Sequence, residues 1–246
     1  MSSVSDSALA WRQYRLERHM FWRNPAAAFF NFVLPLIFLA VIGSLAGSQK
    51  NRDIIVPGIA GMNVLATTFS ALAQNLTFLR EVGVLKRIHG TPLSARSYLS
   101  GLFGNTLINS VFQIALVVVA GALVFGLPWP QNWPELIVFS IVGIVSFSAL
   151  GVAFSYAIPN QESAAAYVNF VYLPAILLGG VFFDPTQQGT VLHAIAGVLP
   201  ITHFVAGLRA AIVTGSPLSD HLGNLAVLAA WGAAGLVIAV RGFRWE

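Results

Sequence analysis

The chain has 246 residues, of which 57% are hydrophobic and only 9% charged. An ordinary soluble domain carries roughly 25% charged residues, so a globule of this composition could not cover its surface with solvated side chains. With a mean hydropathy of +0.76, the figures exclude a soluble enzyme, a nucleic-acid binder and a disordered chain, and set the class as integral membrane protein.

The net charge of +4 rests on 13 basic residues. They lie in short clusters between apolar runs, which is how membrane topology is encoded. There is no cysteine. Disulfides, thiolate metal sites, cysteine nucleophiles and cysteine-linked lipid anchors are therefore excluded.

In chain order, residues 8–23 come first. At helical spacing Leu9, Leu16 and Met20 share one face, flanked by Ala10, Tyr14 and Phe21. Arg12, Arg15, Arg18 and His19 lie opposite, and Gln13 and Glu17 interrupt the apolar side. This reads as an interfacial amphipathic helix, with a solvated basic topology signal as the alternative. The run 25–46 is a retained first span. It is longer than the apolar region of a signal peptide, and no clear small-residue cleavage site follows it.

A spanning helix needs about 20 mostly apolar residues to cross about 30 Å of hydrocarbon. Five further segments qualify: 54–79, 99–126, 135–157, 164–183 and 221–240. Breakers separate them, among them Gly47-Ser48-Gln49-Lys50, the charged stretch 80–96 and Pro128-Trp129-Pro130. Spans in lipid must satisfy their own backbone, and the alternating segments of a barrel do not occur, so all spans are expected to be helices. Asn75-Leu76-Thr77 is a chance glycosylation match at the end of an apolar run.

Residues 184–220 hold two short apolar pieces split by Pro200. They fit either a re-entrant hairpin or a seventh span. Charge favours the hairpin. With six spans, Arg12, Arg15, Arg18, Arg23, Arg80, Lys86, Arg87, Arg96, Arg241 and Arg244 share one side, against Lys50, Arg52 and Arg209 on the other. Both termini are then cytoplasmic.

Enzyme motifs come up nearly empty. The only lysines, Lys50 and Lys86, do not follow glycine, so there is no Walker A loop. His193, His203 and Asp184 could meet in the outer segment, with ordinary helix-end histidines as the default reading. No charge lies within a span interior, which weighs against an ion-driven pump. Uncharged polar residues do recur there. Asn105, Asn109 and Gln113 step by four, Asn63, Thr67, Ser70 and Gln74 follow a similar rhythm, and Asn169 lies near Tyr167 and Tyr172. They either bond helices together or line a mildly polar substrate path or subunit interface. In the stretch 80–94, Val84, Leu85 and Ile88 are apolar while Glu81, Lys86 and Arg87 are polar, and Gly90 and Pro92 end the helix. Such a helix could dock into a groove on a soluble partner.

That stretch resembles a known family. Arg80-Glu81, Gly83-Val84-Leu85-Lys86-Arg87 and Thr91-Pro92-Leu93 are similar to the cytoplasmic loop of ABC-2 type permeases, the membrane subunits of ATP-binding-cassette exporters. Leu173-Pro174-Ala175-Ile176-Leu177-Leu178-Gly179-Gly180-Val181-Phe182-Phe183 resembles the family's fifth span. Leu199-Pro200-Ile201-Thr202-His203-Phe204, continuing to Leu208-Arg209-Ala210, resembles a further block, and Pro57-Gly58-Ile59 also fits. Leu199 departs from the family's usual asparagine, and Gly180 from a frequent serine.

The resemblance implies an all-α integral membrane protein forming one transmembrane domain over 1–246. It would have six transmembrane helices, an N-terminal interfacial helix, a cytoplasmic coupling helix within 80–96 and an outer re-entrant hairpin within 184–220. It implies that Arg80, Glu81, Leu85, Lys86, Arg87 and Pro92 couple to the ATPase, and that Pro200, His203 and Arg209 lie in an outer gate region. Implied partners are two copies of an ATPase subunit, which would bind ATP and Mg, and a second permease, identical or homologous. The chain itself would hold no cofactor and would not be an enzyme. It would act in the bacterial cytoplasmic membrane on a hydrophobic or amphiphilic substrate such as a drug, an antibiotic or a lipid-like molecule, as in the daunorubicin-resistance type. Polysaccharide, nodulation-factor and sodium exporters are the family alternatives. A membrane scaffold or channel without an ATPase, and a histidine-based membrane enzyme, are the alternatives outside it.

Overall fold

The computed structural model describes residues 6–91, 93–183 and 189–242, and among them every regular element is helical. In chain order these are α1 (Asp6–Trp22), α2 (Pro25–Leu45), α3 (Gln49–Glu81), α4 (Val84–His89) and α5 (Ala95–Phe125). There follow α6 (Trp133–Ser155), α7 (Gln161–Leu178), α8 (Thr190–Ala196), α9 (Pro200–Thr214) and α10 (Leu222–Arg241). The expected breakers act as helix starts. Asn24, Ser48, Ser94, Asn132 and Asn160 each accept a first-turn backbone N–H with the side-chain oxygen. This satisfies donors that would otherwise be orphaned at a helix end.

Five helices are long and apolar enough to cross a membrane: α2, α3, α5, α6 and the one ending at Arg241. Helix α7 has 18 residues and opens with Gln161 and Glu162. It nonetheless runs the height of the bundle. Its first backbone N–H donates to Glu81 at the end of α3, and Gly180, just beyond its last turn, accepts from Arg209. Residues 179–183, which the sequence reading places in this span, lie beyond the helix.

The α8–α9 pair bends by 87°. At its corner the carbonyl of Val198 accepts from the indole of Trp231, midway along α10, at 3.0 Å. From there α9 rises to the α5–α6 loop, where the amides of Gln131 and Asn132 donate to Ala211 O at 2.9 and 3.0 Å. The segment therefore bends almost at a right angle inside the bundle. Helix α10 then returns to the face that carries α4, where Tyr156 donates to Ala239 O at 2.8 Å.

The main core lies between α3, α6 and α9. Phe139, Phe147, Phe204 and Leu208 are fully buried there, with Phe147 and Phe204 edge to face at 5.4 Å. Glycines set the closest helix contacts. A Cβ at Gly232 of α10 would stand 2.2 Å from Ser146 Oγ, and one at Gly58 of α3 would stand 1.9 Å from Val181 O. Such close backbone approach is the usual basis of helix packing where water supplies no hydrophobic drive.

Three helices carry a π-turn: Phe29–Val33 in α2, Ala66–Ser70 in α3 and Ala210–Thr214 in α9. Such turns gather at functional sites.

Candidate functional site: the α4 face and the polar interior

Helix α4 follows a turn at Gly83, whose φ of 72° is left-handed and suits glycine. Leu85 anchors the helix. It is 2% exposed, in an apolar cluster with Leu72, Leu76, Tyr98 and Leu99. Lys86, Arg87 and His89 are exposed. Arg80 and Glu81 point elsewhere. Arg80 donates to the carbonyls of Ser155 at 3.1 Å and Ile158 at 2.5 Å, closing the C-terminal end of α6. Glu81 accepts the backbone N–H of Gln161 at 2.5 Å, at the start of α7. A single dipeptide thus ties the base of α4 to two other helices. Pro92, Asp184 and Arg244 lie outside the described residues.

The α5 stripe is buried: Asn105, Asn109 and Gln113 are 9%, 4% and 2% exposed. Gln113 joins three helices. Its amide donates to Asn31 Oδ1 at 2.6 Å, to Asn31 O at 2.8 Å and to Thr67 Oγ1 at 2.8 Å. Asn31 and Thr67 each sit on a π-turn. Asn109 accepts from Arg18 of α1. Asn105 is not drawn into this network, and its Oδ1 is buried without a partner.

The α3 stripe divides. Thr67 belongs to the network, Asn63 is buried with Nδ2 unpaired, and Gln74 bonds back to Ser70 O of its own helix at 3.3 Å. Asn169 is exposed on α7, apart from both stripes, and Tyr172 lines an apolar cleft of about 490 Å³ between α7 and α10.

Helix α1 lies along α5 on its polar side. Gln13 is buried, and a Cβ at Gly101 would stand 2.7 Å from Gln13 Cβ. Gln13 donates to Glu17 at 2.8 Å. The two residues that interrupt the apolar pattern are thus the ones facing protein. Leu16 and Met20 are left exposed. Burial raises the Glu17 carboxyl above the usual carboxylate range, and the bond from Gln13 partly opposes this.

At the opposite end His193, His203 and Arg209 line one cavity of about 300 Å³. His203 pairs with Asn224 Oδ1 at 2.7 Å and Gly197 O at 2.8 Å, and Arg209 Nη2 donates to Gly180 O at 3.1 Å. Pro200 opens α9 at its first turn. Among the described residues no group of three His, Asp or Glu is placed to hold a metal ion.

Two residues went unmarked in the sequence reading. Asn31 was hidden in the run Phe29-Phe30-Asn31-Phe32, although an amide in mid-span is the signal that marked Asn63. Glu135, where the fourth span was expected to start, is fully buried in the first turn of α6, with Oε1 unpaired.

A bundle of membrane-length helices with a sharply bent pair and a short helix on one face is the architecture of a multi-pass membrane protein. The chain belongs to the ABC-2 type transporter family, whose sequence pattern matches residues 7–213. It is similar to the ycf38 protein of Porphyra purpurea, with 25% identity over 76% of this chain and 68% of that one. It is also similar to Nodulation protein J of Neorhizobium galegae, with 22% identity over 92% of each chain. The inner membrane transport permease YadH of Escherichia coli K12 is 22% identical over 71% of this chain and 69% of its own length. The chain is accordingly a membrane component of an ABC transporter, and the family implies an ATPase partner.

Proposed function

We propose that the chain is the permease subunit of an ATP-driven exporter in the cytoplasmic membrane of a bacterium, with both termini and α4 on the cytoplasmic side. Two copies of a separate ATPase subunit bind ATP and Mg and supply the energy. A second permease, identical or homologous, completes the path for a hydrophobic or amphiphilic substrate. The daunorubicin-resistance type of drug or antibiotic efflux fits best, and the chain itself hydrolyses nothing.

One observation carries this reading. Leu85 seats α4 on the bundle, while Arg80 and Glu81 bond the preceding turn to α6 and α7. Lys86 and Arg87 face outward from that mount. A push on α4 therefore reaches three helices at once. Lys86 and Arg87 meet the ATPase, and Arg80, Glu81 and Leu85 transmit. Pro200, His203 and Arg209 form the outer gate region, where α9 is fastened to α7 and α10.

The test is capture of the tagged full-length chain from its native membrane, with the co-purified protein identified by mass spectrometry. A Walker-containing ATPase whose hydrolysis the permease stimulates supports the reading. A chain that purifies alone and conducts solute without ATP contradicts it, as a scaffold or channel would.

A further inference from the structure

A cavity of about 590 Å³ lies between α1, the start of α2, and the middles of α3 and α5. Its volume is that of a small-molecule site. Both the α2 and the α3 π-turns border it, through Asn31 and Thr67. Two buried amide atoms on its wall have no partner: the acceptor Asn105 Oδ1 and the donor Asn31 Nδ2. Asn105 is 9% exposed. An orphaned buried polar atom is costly, so a wall with two of them is built to be completed.

The cavity has one acidic group, Glu17. It accepts from Gln13, and no ion pair joins it to a basic residue among the described residues. The adjacent Arg18 turns to Asn109 and stacks over Trp22, with 5.3 Å from guanidinium to ring. Thr67, Asn75, Thr106 and Asn109 add uncharged polar groups, the remaining wall is apolar, and its rim residues Met20 and Phe30 are 49% and 63% exposed.

We infer that this cavity binds an amphiphile with a primary ammonium head, held between Glu17 and Asn105 with its tail leaving past Met20 and Phe30 into the inner leaflet. A primary ammonium offers three N–H donors and no acceptor. It can serve the Glu17 carboxylate and Asn105 Oδ1 together, and its charge offsets that of a half-buried carboxylate. Asn31 Nδ2 then donates to a carbonyl or hydroxyl next to the head. The same chemistry comes from an aminophospholipid of the bilayer or from a free lipophilic amine. This inference rests on the permease reading, since it takes the rim to face lipid, and it places the site within one subunit.

The test uses the full-length chain in phosphatidylcholine nanodiscs with dodecylamine as probe, dodecanol as the uncharged control and dodecyltrimethylammonium as the donor-free control. Binding is read as a rise in unfolding temperature and by equilibrium dialysis. Dodecylamine should bind at least tenfold more tightly than either control. Glu17→Gln should lose about tenfold and Glu17→Asp should recover part of it. Asn105→Leu, which keeps the carboxylate, should lose severalfold and guards against misfolding of the Glu17 variants. Competition by added phosphatidylethanolamine would assign the site to an aminophospholipid, and lack of competition to a free amine; either supports the site. No binding, as for a cavity holding water only, or equal binding by wild type, Glu17→Gln and Asn105→Leu, overturns it. The assay needs no ATPase, so failure of ATPase capture with intact amine binding would sink the permease reading alone.

Discussion

The guanidinium of Arg80 donates to the carbonyl of Ser155 at 3.1 Å, joining the last turn of α3 to the last turn of α6. The same group reaches Ile158 O, so one side chain closes a helix end 75 residues away in sequence. Hydrogen bonds from a charged donor contribute roughly 1.5–3 kcal/mol each. Arg80→Ala should therefore lower the stability of the purified chain by at least about 1.5–3 kcal/mol, the range for one such bond. Arg80→Lys should recover little, because a lysine cannot present two donors in a fixed fork. Urea unfolding in detergent, followed by circular dichroism, checks both.

The Asn31–Thr67–Gln113 network makes a different prediction. Gln113→Leu strips two half-buried partners of their bonds to it, leaving only the 3.1 Å bond from Thr67 to Asn31, and should cost about 1–3 kcal/mol. Changing all three together, with Asn31→Leu and Thr67→Val, should cost less than the sum of the single changes. Members of one network do not add. A double-mutant cycle on unfolding free energies measures the coupling, and simple additivity would argue that the three groups are independent.

Gly232 and Gly235 bring α10 against α6. Added Cβ atoms would stand 2.2 Å from Ser146 Oγ and 2.9 Å from Leu150 N. Ser146 Oγ could swing away, losing its 3.0 Å bond to the carbonyl of Leu228, but Ser146 Cβ and Cα would still stand 2.9 and 3.0 Å off, and the backbone of Leu150 cannot move aside. Gly232→Ala and Gly235→Ala should thus each destabilise by about 1–3 kcal/mol as overpacked sites. Thermal unfolding of the two variants checks both.

The Glu17 carboxyl is raised by burial, so the folded chain holds that proton more tightly than the unfolded chain does. Stability from this group is present at low pH and declines as pH rises from its ordinary value through the folded one. Glu17→Gln should match wild type in acid and become the more stable protein as pH increases across that window. Unfolding midpoints measured as a function of pH for the two proteins check the sign, and a wild type that gains on the variant with rising pH would contradict it.

Much of this architecture was legible in the sequence because each signal was local. Apolar runs of spanning length, caps such as Asn132 and Asn160, and the Gly83 turn all depend on neighbouring residues. The stripe at Asn105, Asn109 and Gln113 was legible for the same reason: a four-residue step marks one helix face. What that face meets was not. Gln113 bonds residues 46 and 82 positions away, and only the packed bundle brings them together. Arg80 and Glu81 look like solvated charges beside Lys86 and Arg87, but Arg80 bonds to the end of α6 and Glu81, though exposed, to the start of α7. Nor was the protein-facing side of α1 legible: Gln13 and Glu17 meet α5, while Leu16 and Met20 remain exposed, as an interfacial apolar face would be.

The central claim is that the outward pair on α4 receives the force of ATP hydrolysis. The most direct measurement joins Lys86→Glu to Arg87→Glu in the full-length chain, co-expressed and reconstituted with its ATPase. ATPase capture and permease-stimulated hydrolysis should fall at least tenfold while the unfolding temperature stays within a few degrees of wild type. Capture and stimulation at the wild-type level, with the charges reversed, would contradict it.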